Sequence, residues 1–132
     1  GEFTALPFDS QHFDVVVDRA SLACNIGLEL ETAVSEIFRV LKPGGRFISV
    51  DLCSIEHPDL RLGDCVGVGD FCNFTSGAFI YSDTIHGFSV EEFDSLFKNF
   101  QIEELQHNRV TDIIASSFQL ISASFNLVAK RL

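Results

Sequence analysis

His57 and His86 are side chains that could take a proton from an oxygen or nitrogen acceptor near neutral pH. His86 leads, because it directly precedes a helix start and is anchored by it. Tyr81 lies between the two in the same segment. Each of the three also reads as an ordinary surface residue. A second set stands at strand ends: Asp18, Arg19 and Ala20 follow one apolar run, and Asp51 closes another. Such an Asp reads equally as a turn residue.

Other chemistries find no support. Cys24, Cys53, Cys65 and Cys72 show no C-x-x-C spacing, and His12, His57, His86 and His107 are scattered, so no metal site is expected. Reduced, mostly buried thiols are the expectation for the cysteines. Gly44-Gly45 lacks the G-x-G-x-x-G pattern of a dinucleotide loop and reads as a helix stop after Pro43.

The elements that must position these residues follow from periodicity. Phe13 to Asp18 is a short apolar, β-branched run, which suits a strand buried on both faces of a parallel sheet. From Leu28 to Leu41, Leu30, Ala33, Val34, Ile37, Phe38 and Leu41 fall on one helical face. Lys42-Pro-Gly-Gly45 ends that helix, and Arg46 to Leu52 is a second strand. Strand, helix and strand in this order predict a βαβ unit with parallel strands, hence an α/β fold.

The pattern is lost from residue 53 to residue 87, which predicts a partly ordered insert. Ser89 and Glu92 have capping-box spacing, so a helix is expected from Ser89 to about Asn99, with Val90, Phe93, Leu96, Phe97 and Phe100 on its apolar face. Gln101 to Asn108 and Ser117 to Lys130 read as an antiparallel pair at one sheet edge.

With 132 residues the chain forms one domain at most. A formal charge of -10, from 19 acidic and 9 basic residues, repels phosphate backbones and anionic lipids, so neither nucleic acid nor membrane is an expected partner. No apolar run approaches the ~20 residues that cross a bilayer, and no leader pattern opens the chain. The expected location is the cytoplasm.

Three segments in order, Leu6-Pro-Phe8, Phe13-Asp-Val-Val-Val17 and Glu36-Ile-Phe-Arg-Val-Leu-Lys-Pro-Gly-Gly-Arg46, resemble the small-molecule, type 11-like branch of class I S-adenosylmethionine-dependent methyltransferases. The resemblance covers nearly the whole chain. It implies the C-terminal half of a Rossmann-like methyltransferase sheet, parallel strands with an antiparallel edge pair, spanning residues 1 to 132. The glycine-rich cofactor loop and the acidic residue for the ribose are absent from it. It also implies S-adenosylmethionine as cofactor, provided the N-terminal half is supplied, and a small-molecule acceptor.

On the residues, the resemblance places Glu2 at the adenine amino group and Phe3 against the ring, although Gly1-Glu2-Phe3 also reads as a cloning scar. Asp18, Arg19 and Ala20 match the stretch that closes over the methionine and ribose side. Family members often carry one or two His next; here Ala23 and Cys24 stand instead. Residues 53–87 correspond to the acceptor-recognition segment, with His57 and Tyr81 as binding candidates and His86 as the candidate base. Methyl transfer from a sulfonium depends mainly on alignment, so no catalytic triad is expected.

Three readings remain open. The chain is a portion of an active enzyme, or a truncated non-catalytic module acting through protein association, or one copy of a pair that completes the sheet. A homodimer through the outer edge of Phe13 to Asp18, or the missing N-terminal half, is the expected partner.

Overall fold

The computed structural model describes residues 3–114 and 118–132. Strand β1 (Phe13–Arg19) runs parallel to β2 (Leu41–Cys53), and helix α1 (Leu28–Val40) connects them. Three short strands follow, β3 (Asp64–Gly67), β4 (Asp70–Cys72) and β5 (Thr84–His86), then helix α2 (Glu92–Leu96) and the long hairpin of β6 (Phe100–Asp112) and β7 (Gln119–Arg131). The main sheet has the order β1-β2-β7-β6, in which β7 is antiparallel to both neighbours. The α/β class and the antiparallel edge pair are as the sequence predicts. β6 reaches further than expected, and the start of the last strand at Ser117 lies outside the described residues.

Alternation along the strands gives the sheet two unlike faces. Val16, Phe47, Ser49, Leu127 and Ala129 share one face through the strand registers, and α1 covers it with Leu30, Ala33, Val34 and Ile37. A run of rings closes the layer: Phe88, Phe93, Phe97 and Phe47 stack in succession, with Phe125 edge-on to Phe93 at 5.0 Å. Much of the chain's Phe content is spent here. The opposite face is bare at β1, where Val15 is 49% and Val17 68% exposed. The expectation that β1 is buried on both faces is therefore corrected. On that side Phe8 and His12 pack on Phe13, at 4.9 Å and 4.7 Å between ring centroids, and the cover stops short of Val17.

Two boundaries also depart from expectation, each for a local reason. Helix α1 stops at Val40 because Leu41 turns extended, with φ -78° and ψ 139°, to pair with Phe13. Gly44, at φ +80°, belongs to the bulge between the Phe13 and Val15 pairings rather than to a left-handed helix cap. Arg131 caps the helix instead, donating from Nη1 to the carbonyls of Phe38 and Leu41 and lying 4.0 Å over the Phe38 ring. Helix α2 begins at Glu92, not Ser89, and Val90 is 52% exposed rather than on its apolar face. Half of the capping box survives: Glu92 Oε1 accepts from Ser89 N at 3.1 Å.

The insert is an ordered antiparallel sheet, β3-β4-β5, preceded by a 3-10 turn at Pro58–Leu62. Of the thiols, only Cys53 is buried; Cys24 and Cys65 are exposed and Cys72 is intermediate, against the expectation of mostly buried cysteines. Among the described residues no helix is long and apolar enough to cross a membrane.

Candidate functional site at the strand ends

β1 and β2 run parallel, so their carboxyl ends lie side by side, the place where α/β sheets bind ligands. Asp18 is the last inward-facing residue of β1 and is 3% exposed. Its carboxylate accepts from Ser21 N at 3.1 Å, Leu22 N at 3.3 Å and the Ser49 hydroxyl at 2.9 Å. These bonds engage both carboxylate oxygens and turn the chain into the short helical turn Leu22–Cys24. The role of Asp18 in the site is to shape the loop.

Arg19 and Ala20 follow Asp18 and are exposed. Arg19 Nε stands 3.3 Å from Asp51 Oδ2, both side chains well exposed, so β1 and β2 present a guanidinium and a carboxylate together at the strand ends. Ala20 has φ +64° and Asp51 φ +60°, conformations that non-glycine residues take at some cost and that recur at ligand sites. Asp51 is held there by its amide, which donates to Asn126 Oδ1 at 3.1 Å. Phe3 packs against the core, and Glu2 lies outside the described residues.

The insert reaches the strand-end loop. Thr84 Oγ1 donates to Cys24 O at 2.6 Å, tying β5 to the loop that follows β1. Burial, with Asp18 and Asp83 nearby, pushes the Cys24 thiol up, so it stays protonated and is a poor nucleophile.

His57, Tyr81 and His86 occupy three different environments. His57 caps the Pro58–Leu62 turn, its Nδ1 accepting from Asp59 N at 3.2 Å, and its ring lies 4.8 Å from Phe79. Burial lowers its pKa despite the nearby Asp59. Tyr81 is 98% exposed and projects into solvent. His86 is buried, with Nδ1 2.7 Å from Asp70 Oδ1 and Nε2 2.8 Å from Glu92 Oε1. Both ring nitrogens are thus occupied by carboxylates in this arrangement.

Sequence reasoning missed a second polar cluster. Ser54, buried past the end of β2, lies 2.8 Å from His107 Nε2, and Glu56 Oε2 lies 3.0 Å from the same nitrogen. Arg109 pairs with Glu56 at 2.7 Å, and the His107 ring stacks on Phe125 at 4.1 Å. A nucleophile, base and acid need opposite ring nitrogens, and here Ser54 and Glu56 share one, so the cluster is not a triad. The β2 to β7 and β6 to β7 registers together bring these residues to one place; no local spacing announces them. No group placed to hold a metal occurs among the described residues.

A family model described as a methyltransferase domain matches residues 1–49, from the start of the chain through the middle of β2. The mitochondrial 2-methoxy-6-polyprenyl-1,4-benzoquinol methylase of Danio rerio is 40% identical over 65 residues, 48% of this chain and 19% of that protein. An S-adenosylmethionine-dependent methyltransferase of Methanosarcina mazei shares the fold with a TM-score of 0.72 at 20% identity, over 100% of this chain and 65% of that one. The 1,6-didemethyltoxoflavin-N1-methyltransferase of Burkholderia thailandensis, solved with 1,6-didemethyltoxoflavin and S-adenosylhomocysteine bound, matches at 0.62 and 18% identity, over 98% of this chain and 48% of that one. The chain thus spans about a fifth of that curated relative and under two thirds of either structure.

Proposed function

We propose that this chain, which has the class I methyltransferase fold and matches the methyltransferase domain model over residues 1–49, is a portion of an S-adenosylmethionine-dependent enzyme that methylates a small ring-bearing acceptor. The observation that carries the reading is the strand-end loop. Asp18 holds the loop through Ser21 N and Leu22 N and ties it to β2 through Ser49, and Arg19, Ala20 and Asp51 are left exposed at the carboxyl ends of two parallel strands.

In this reading Phe3, with Glu2 before it, flanks the adenine, and Arg19 and Ala20 form the wall on the methionine and ribose side. Asp18 acts through the loop it shapes. The residues present make one wall only: the glycine-rich loop and the ribose carboxylate would come from the N-terminal part of the domain. Held against that wall, the cofactor would supply a methyl group on a positively charged sulfur, a leaving group that needs no covalent help from the protein. The protein's task is alignment. The insert of residues 53–87 is assigned to the acceptor, with exposed Tyr81 as the side chain free to reach it, and His57 and His86 fixing the insert's turns. That the Danio relative is named for a benzoquinol and the Burkholderia neighbour was solved with 1,6-didemethyltoxoflavin favours a planar ring as acceptor.

The test is label transfer from methyl-tritiated S-adenosylmethionine to a panel of small quinols and nitrogen heterocycles by the intact protein. Label in the organic phase supports the reading. An intact protein that binds S-adenosylhomocysteine in no calorimetric titration and transfers no label refutes it. A second reading, a non-catalytic module acting through association, draws on the open β1 face with Val15 and Val17 exposed, and that outcome would favour it.

A further inference from the structure

His86 ends β5 and joins two elements through its ring: β4 through Asp70 at 2.7 Å and α2 through Glu92 at 2.8 Å. An ionised carboxylate only accepts hydrogen bonds, so both ring nitrogens must carry a proton for both bonds to exist. A neutral imidazole has a single N–H. It would leave one carboxylate oxygen facing a ring lone pair, at a residue only 5% exposed. The ring is confined as well: Phe88 stands edge-on at 4.7 Å, and a Cβ on Gly69 would come within 3.1 Å of its Cε1.

The pieces that His86 joins are small. The insert sheet has strands of four, three and three residues, and α2 has five. Asp70, His86 and Glu92 line one side of a groove of about 740 Å³ between α1 and α2. The other charged groups on that groove are Glu31 of α1 and Lys98 beyond α2; Phe88 and Gly69 bring none. At the other end of β5 the same sheet holds the strand-end loop through Thr84 and Cys24.

We propose that His86 is a proton-dependent latch between the inserted sheet and α2, fastened while its ring carries two protons and released when it carries one, so that the insert's hold over the strand-end mouth follows pH. The consequence for the mouth rests on the methyltransferase reading; the latch itself does not. Burial opposes the charged ring, but the hydrogen bonds and charges of Glu92 and Asp70 outweigh it and raise the pKa above the ordinary 6.5. The latch is therefore closed on the acid side of that raised value and opens as pH climbs through it.

Asp70→Asn separates this device from plain packing. A side-chain amide can donate to Nδ1 of a neutral ring while Nε2–H still goes to Glu92, so both bonds persist without the second proton. Hydrogen exchange of amides 84–96 in the protein, corrected for intrinsic pH dependence, reads the opening equilibrium between pH 6 and pH 9. The expected result is an opening that grows about tenfold or more with pH in the wild type and stays flat in Asp70→Asn. A wild type that stays flat, or an Asp70→Asn variant that opens in parallel with it, overturns the latch. In protein active in methyl transfer, the acceptor KM is expected to rise over the same window in the wild type alone, and a KM indifferent to that window overturns the link to the mouth. Absence of transfer leaves the exchange result to decide the latch, so the two failures are distinct.

Discussion

The Arg39 guanidinium reaches back 33 residues and donates Nη2 to the Leu6 carbonyl at 3.0 Å. Nη1 takes the Phe8 carbonyl at 2.8 Å, while Glu36, bonded to Arg39 Nε at 2.6 Å, accepts from Leu6 N at 3.0 Å. Two of the segments that carry the family resemblance are thus one contact: the outer face of α1 clamps the strap that leads into β1. Arg39→Ala is expected to free that strap. Limited proteolysis should then cut within residues 3–12 at a protease level that leaves the wild type whole, with a lowered Tm. Arg39→Lys should restore little, because one ammonium cannot span Leu6, Phe8 and Glu36 in the planar fork that the guanidinium supplies. An uncut Arg39→Ala strap would refute the clamp.

The adjoining glycines are expected to fail in different ways. Gly44 sits at φ +80° with only Lys130 Cε within 4.0 Å of an added Cβ, so Gly44→Ala carries the left-handed penalty of about 1–2 kcal/mol and little else. At Gly45 an added Cβ would meet Lys42 O at 2.8 Å and Asp14 O at 3.0 Å, both backbone atoms of the β1 to β2 pairing. Gly45→Ala should therefore cost more than Gly44→Ala in urea unfolding. The reverse order would mean that the bulge relaxes where it looks tight.

That pair of glycines marks what the sequence makes legible. Helix period over Leu30 to Ile37, β-branched runs at Val15 to Val17 and at Ile48 to Val50, and the breaker between them are local signals, and they predict the βαβ unit correctly. The short strands of the insert carry no such signal. β4 and β5 have three residues each, too few for a period to show, and pairings such as Phe71 with Ile85 depend on turns between them. The site divides the same way. Asp18 and Arg19 are readable because they follow a strand, whereas the contacts of His86 with Asp70 and of His107 with Ser54 span 16 and 53 residues and exist only through sheet register.

Opposed histidines give stability a pH signature. The His57 pKa is lowered by burial, so its contribution is present above the unfolded value of 6.5 and is lost as pH falls toward the folded value. The His86 pKa is raised by Glu92 and Asp70 over the opposing effect of burial, so its contribution is full below 6.5 and is lost as pH rises through the folded value. The two windows lie on opposite sides of 6.5 and overlap only near it, so wild-type stability peaks there. His57→Asn keeps an acceptor for Asp59 N while removing one titration. In that background urea unfolding should show stability falling from pH 6 to pH 9, and a rising curve would contradict the environment assigned to His86.

The thiols should react in an order set by exposure and by the ease of forming thiolate. Cys65 is exposed on β3 and is expected to react first with a chromogenic disulfide at pH 8. Cys24 is exposed but held protonated by burial and by Asp18 and Asp83, and should lag. Cys53 is buried, its pKa pushed up to about 12 by desolvation, and should react only on unfolding. Prompt labelling of Cys53 in native protein, mapped by peptide mass, would mean that the end of β2 opens readily.

The last expectation concerns the edge of β1. Among the described residues β1 pairs only with β2, so the amides and carbonyls of its other edge have no strand partner. The side chains next to that edge add apolar surface, with Val15 49% and Val17 68% exposed on the uncovered face. A short apolar edge strand of this kind is a template for pairing, and soluble proteins ordinarily cover it or charge it. The simplest cover is a second copy through a two-fold axis, which would pair β1 with β1 into one continuous sheet and set the exposed valines of the two copies beside each other across the new pair. Light scattering on the 132-residue chain at micromolar concentration is therefore expected to give a dimer or larger species. Val17→Lys should return it toward the monomer without lowering Tm, since Val17 contributes little to the buried face. A wild-type monomer in which the β1 amides that point away from β2 exchange freely would mean that the edge is tolerated in solution.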